Sequence, residues 1–239
     1  MSYNIRDWFD TERYCLMGFD LVDLSESIEE HNEVPGEKGY SDPSVVFEMN
    51  KFETHPWVTL AIKPYYISKI VMGAHVGTHI DAPMHAVENG LSVDQISNEY
   101  IGKAVIIDVN DQLTDDELST LLKKVDSKSI VVIRGKRDYK ISEKYRKAII
   151  RANPRVVVFG DCVNVDGVED TICYLENNIP MIMGANQEGL ESLSQGDIIF
   201  ALPLKFKGIE AAPVRLFAIK LSLKEKEQSD DLSIFSMEG

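Results

Sequence analysis

The feature that most narrows what this chain can become is a capped helix followed by a short apolar strand, twice in succession. The first helix opens on the capping box Thr114-Asp-Asp-Glu117, where hydroxyl and carboxylate satisfy each other's free backbone donors. It continues with Leu118, Leu121, Leu122 and Val125 on one stripe. The second begins near Ser142, turns Tyr145, Ile149 and Ile150 inward and stops before Pro154. Ile130 to Ile133 and Val156 to Phe159 follow as strands, so 114–133 and 142–159 form an α/β section. Further short runs predict strands at Phe19 to Leu24, Val45 to Met49, Trp57 to Ile62, Ile67 to Met72, Ala104 to Val109, Ile198 to Leu202 and Val214 to Leu221. Shorter helices are expected at 168–176 and 188–193. No repeat, Pro-rich linker or low-complexity block interrupts this pattern. The expectation is a mixed α/β fold with a large mixed sheet: one domain over 1–239, its core about 20–221, and a polar C-terminal tail at 224–239.

Charge narrows the function classes. Twenty-five Lys and Arg stand against 39 Asp and Glu, a net charge of −14 among 239 residues. A surface this acidic repels phosphate backbones and anionic headgroups, so neither nucleic acid nor a membrane is an expected partner. The longest apolar runs, such as Ile130 to Ile133, end far short of the roughly 18 to 20 residues that cross a bilayer. The opening Met-Ser-Tyr-Asn-Ile-Arg-Asp-Trp lacks the basic start and apolar stretch of a signal peptide. Cys15, Cys162 and Cys173 form no CxxC pair and are expected to be small buried apolar residues. A reducing cytoplasm is the expected setting.

Chemistry concentrates in one place. Three of the five histidines fall within His75-Val-Gly-Thr-His79-Ile-Asp81-Ala-Pro-Met-His85. Imidazole and carboxylate are donors that suit Zn²⁺ and, with a more oxygen-rich shell, Mn²⁺ or Fe²⁺, and three protein ligands leave positions open for water, as in a catalytic site. A straight strand would hold His75 and His79 about 13 Å apart at Cα. Gly77 is therefore expected to turn the chain, and Pro83 to keep Ala82 extended. His79 and Asp81, two apart in an extended piece, then point the same way. His85 exceeds the needs of a three-ligand site and is free for proton transfer near neutral pH. Any one of these histidines alone reads as a carbonyl cap or ion-pair partner, whereas the set reproduces ligand type and spacing together. His31 and His55 stand alone and are expected in surface or core roles.

This segment resembles the HxGTHxDxPxH signature of the cyclase family of metal-dependent hydrolases, of the bacterial kynurenine formamidase and isatin hydrolase kind. The resemblance extends to Val22-Asp-Leu-Ser-Glu26, to Ile101-Gly-Lys-Ala-Val-Ile-Ile-Asp108, and to Ala201-Leu-Pro-Leu-Lys-Phe-Lys-Gly208 with Ala212-Pro-Val-Arg215. It implies a swivelling β/β/α-type fold, a homodimer or homotetramer, one divalent metal ion (Zn or Mn) on His75, His79 and Asp81, and His85 as acid/base residue. The activity implied is hydrolysis of an amide or lactone carbonyl by metal-activated water, on a small aromatic substrate. Members with two metals use a further His and Glu. This chain carries Ile172 and Gly184 at those positions and no histidine after His85. Glu176 and Glu188 are candidate substitutes. The departure also motivates a second reading, a non-catalytic paralogue that binds a metal or small molecule as a sensor or partner protein. Phe52, Trp57, Tyr65 and Tyr66 precede the motif and are candidates either for substrate walls or for core packing.

Overall fold

A computed structural model describes residues 20–29, 46–49, 66, 68–97, 99–109, 113–135, 139–160, 163–164 and 168–221. Its strands are β1 (Asp20–Asp23), β2 (Val46–Met49), β3 (Ser68–Val71), β4 (His79–Asp81), β5 (Tyr100–Asp108), β6 (Ile130–Arg134), β7 (Tyr139–Lys140), β8 (Val156–Gly160), β9 (Val163–Asn164), β10 (Met181–Ala185), β11 (Ile198–Pro203) and β12 (Ala211–Lys220). The helices are α1 (Asp115–Leu122), α2 (Glu143–Ala152), α3 (Val168–Glu176) and α4 (Gln187–Glu191), and a 3-10 turn spans Pro83–His85. The strand expected at Trp57 to Ile62 lies outside the described residues, as do Cys15, Cys162, His31, His55, Phe52, Tyr65 and the 224–239 tail. None of the described helices is long and apolar enough to cross a membrane.

Strand order is β1-β12-β11-β5-β6-β8-β10-β4, and β4 also pairs with β12, which closes seven strands into a ring. The steps β5–β6, β6–β8 and β8–β10 are parallel. Those from β10 through β4, β12 and β11 back to β5 are antiparallel. Thus the mixed α/β fold read from the sequence takes the form of a barrel-like mixed sheet with few helices.

Two cores follow from the alternation of side chains. Ile130, Val132, Val156, Val158, Ala104 and Ile106 pack with Ile80, Ala212 and Leu216 inside the ring. Their neighbours Val131, Ile133, Val157, Phe159, Val105 and Ile107 pack with Leu118, Tyr145, Ile149 and Tyr174 beneath the helices. Burial on both faces is why these strands are continuous Val/Ile runs rather than alternating ones.

Helix α1 has the anticipated reciprocal cap: Thr114 N donates to Glu117 Oε2 at 2.8 Å, and Glu117 N donates to Thr114 Oγ1 at 3.3 Å. Helix α2 ends at Asn153 in the left-handed conformation. Strand β5 begins four residues earlier than its apolar run. Its first residues pair with β11 and its later ones with β6, so Gly102 and Lys103 belong to an antiparallel section with a solvent face. The Pro180-Met-Ile-Met-Gly184 stretch, which has one β-branched residue, becomes β10 because β8 and β4 flank it.

Candidate metal centre

Residues 75–85 bend as the glycine and proline demand. Gly77 adopts φ +62°, the left-handed region, and Ala82 is extended at φ −89°, ψ 161°. Between them β4 is pinned on both edges: Asp81 registers with Met181 of β10 and with Ala211 of β12. Ile80 fills the ring interior, so His79 and Asp81 project from the opposite face of the strand.

Buried Thr78 ties the turn to its surroundings. Its hydroxyl donates to Gly184 O at 2.7 Å and accepts from Glu26 N at 2.8 Å, and its carbonyl accepts from Val214 N. Gly184 itself sits at φ +65°, and a Cβ there would stand 2.9 Å from Gly77 O. In this backbone no side chain fits at 184, so the chain cannot present a glutamate from that position without moving the turn that carries the histidines. Ile172 lies on α3, partly buried.

His75, His79 and Asp81 each offer one ligand atom within 4.8 Å of the others. His75 Nδ1 is 2.9 Å and His79 Nε2 is 3.6 Å from Asp81 Oδ1. Donors held 2.0–2.2 Å from a tetrahedral ion stand roughly 3.4 Å apart, so the spacing suits one ion. The hydrogen bonds fix the rest. His79 Nδ1 donates to Gly77 O at 2.9 Å, and because a carbonyl only accepts, Nε2 keeps its lone pair on the Asp81 side. Asp81 Oδ1 is buried and lacks an aligned hydrogen-bond partner among the described residues. A buried carboxylate oxygen with two imidazole nitrogens close by and no aligned donor is a cation-seeking arrangement. The pKa of His75 is raised: the adjacent Asp81 carboxylate, which favours the positively charged ring, contributes most, burial opposes it, and Glu210 adds to it.

His85 closes the 3-10 turn after Pro83, exposed, with its ring centroid 4.5 Å from that of His75. It thus stands beside the ligand cluster and outside it. Helix α3 packs on this turn. Neither Glu176 nor Glu188 joins the cluster among the described residues. The carboxylate that does approach is Glu210, whose Oε1 is 3.3 Å from His75 Nε2. Its only signal in the sequence was position, immediately before the Ala211-Ala-Pro-Val-Arg215 segment of the closing hairpin. Of the aromatic candidates, Tyr66 is described and is exposed. Cys173 carries a half-buried thiol, its pKa pushed up mainly by burial.

Comparison with known proteins places the chain in a family and its fold among solved structures. A protein of Methanocaldococcus jannaschii is 30% identical over 170 residues, 66% of this chain and 85% of its own length. The kynurenine formamidase of Salinibacter ruber is 26% identical over 165 residues, 62% of this chain and 77% of its own. Among solved structures, isatin hydrolase A from Ralstonia solanacearum superposes with a TM-score of 0.64 at 19% identity, covering 92% of this chain and 98% of that one. A potential metal-dependent hydrolase with cyclase activity superposes at 0.59 with 20% identity, covering 84% and 98%. These superpositions establish a shared fold. The Cyclase family model matches residues 22–182, more than half of the chain, and the chain therefore belongs to the cyclase family.

Proposed function

We propose that this chain is a metal-dependent hydrolase that opens an amide or lactone carbonyl, with small aromatic compounds of the arylformamide or cyclic amide type as substrates. The observation that carries the reading is the convergence of His75 Nδ1, His79 Nε2 and Asp81 Oδ1 around a buried carboxylate oxygen with no aligned donor. Those three residues would hold one divalent ion, Zn or Mn. When bound, such an ion supplies Lewis acidity, polarising a carbonyl and making water a better acid. A single ion is the expected complement because Gly184 has no room for a second carboxylate ligand.

His85 has the position of a proton carrier. Beside the cluster and open to solvent, its imidazole takes a proton from the attacking water and delivers it to the departing nitrogen or oxygen. Asp81 would supply the carboxylate ligand, and the Gly77 carbonyl holds the His79 ring in one orientation. The names of the relatives guide the choice of substrates: N-formylkynurenine, isatin and simple lactones, each with added Zn²⁺ or Mn²⁺. Hydrolysis of one of them, with His85→Ala losing on the order of 10² to 10⁴ in kcat while keeping the metal, is the expected result. Metal bound at full stoichiometry with no turnover on any of them would favour a non-catalytic paralogue that senses a metal or small molecule. That reading draws on the same Ile172 and Gly184 departures. A homodimer or homotetramer belongs to the proposal and is checked by light scattering.

A further inference from the structure

The geometry points to Glu210 as a positioning residue that fixes which nitrogen of His75 faces the ion, an inference that rests on the metal-site reading above. The two histidines of the cluster are anchored differently. His79 gives its Nδ1 proton to the Gly77 carbonyl and keeps Nε2 for the cluster. His75 has no such carbonyl among the described residues. Its Nδ1 faces Asp81 at 2.9 Å, and its Nε2 lies 3.3 Å from Glu210 Oε1. Carboxylate oxygens accept, so without an ion the ring can offer a proton to Asp81 or to Glu210; with an ion between Nδ1 and Asp81, the Nδ1 lone pair is needed for the cluster and the remaining proton sits on Nε2, where Glu210 accepts it. Without Glu210 the two tautomers of His75 compete, and one of them turns a proton toward the ion.

The backbone makes this contact a built one. Glu210 O accepts from Ala82 N at 2.8 Å, and the next residue, Ala211, registers with Asp81. Just before it, Ile209 O accepts from Val93 N at 2.9 Å and Gly208 N donates to Asp94 Oδ1 at 2.8 Å. The Glu210 backbone is therefore held by the same β4–β12 seam that holds Asp81, which keeps its carboxylate within reach of His75. Carboxylates behind metal-bound imidazoles orient the ring and raise its basicity, and losing one typically costs 10- to 100-fold in metal affinity.

The test compares Glu210→Ala, Glu210→Gln and His79→Ala with the unaltered protein by chelator competition for Zn²⁺. Thermal unfolding of the metal-free forms serves as a control for folding. Glu210→Ala is expected to bind Zn²⁺ about 10- to 100-fold more weakly. Glu210→Gln, whose amide oxygen still accepts the Nε2 proton, should recover affinity to within a few-fold. Nitrogen NMR of the Zn²⁺-loaded protein should show His75 protonated at Nε2 in the unaltered and Gln proteins, and that signature lost or mixed in the Ala variant. Unchanged affinity and spectrum in Glu210→Ala would overturn the inference. So would a Gln variant as weak as the Ala one, which means charge alone, or a loss in Glu210→Ala as complete as in His79→Ala, which makes Glu210 a ligand. If His79→Ala itself keeps the metal, the metal-site reading fails instead.

Discussion

The two sides of the ring solve different problems with different residues. The parallel side, β5, β6, β8 and β10, is apolar on both faces, with Val131, Ile133, Val157 and Phe159 under the helices and their neighbours in the ring. The antiparallel seam, β10–β4–β12, is short, carries His79, Asp81 and the approach to Glu210, and leaves Asp81 Oδ1 without an aligned partner. One side gains stability from burial. The other places polar groups at fixed distances, at a cost in unsatisfied bonding that a cation would relieve. The contrast teaches that the scaffold and the site are separable: substitutions on the parallel side should move stability, and substitutions on the seam should move metal affinity.

The largest expected effect is on the seam. His79→Ala should abolish binding of a divalent ion while the metal-free fold survives; elemental analysis that finds full occupancy would dissolve the distinction between the two sides. The parallel side is tested by Ile133→Ala, a fully buried residue under α1 and α2, which should cost about 2–5 kcal/mol in urea unfolding. If the protein that remains folded shows altered metal affinity, the sides are coupled. Gly184→Ala sits where they meet. It should cost about 1–3 kcal/mol, because alanine must take φ +65° with its methyl against Gly77 O, and it should also weaken the metal by displacing the turn. A loss of stability alone would show that the turn moves without dragging the ligands.

The smallest effect, and the one that sharpens the contrast most, is its dependence on pH. His75 in the metal-free protein has a pKa above its ordinary 6.5, chiefly through Asp81. The stability this contributes is fully present below that ordinary value and fades as pH rises through the raised one. With Zn²⁺ bound the sign reverses, since protons compete for the same nitrogen and the metal's contribution falls on acidification. Unfolding temperatures between about pH 5.5 and 8, with Zn²⁺ and with a chelator, should therefore slope in opposite directions. Parallel slopes would mean that Asp81 and His75 do not share the ion.

Much of this was legible because local chemistry and final structure agree. The capping box of Thr114 and Glu117, the Val/Ile runs of β6 and β8, the turn at Gly77 and the extended Ala82 are all dictated within a few residues of themselves. What the sequence hid depends on distant partners. Strand β10 exists because β8 and β4 flank it, and the first residues of β5 are strand because β11 lies beside them. Glu210 escaped notice for the same reason: it is one of many acidic residues until β12 pairs with β4 and brings it to His75. Glu176 and Glu188, nearer in sequence to the altered ligand positions, stand outside the cluster among the described residues.

The closing seam also sets a timetable for the chain as it emerges from the ribosome. Asp81 finds its backbone partners only at Met181 and Ala211, about a hundred residues or more downstream. Until those residues are made, His75, His79 and Asp81 belong to an unpaired segment that cannot keep its spacing. Closing a loop of that length is slow compared with forming α1 or α2. If the proposed ion binds here, its loading would be a late event, and a truncated or stalled chain that ends before β12 would carry the whole ligand motif without the pairing that sets its spacing.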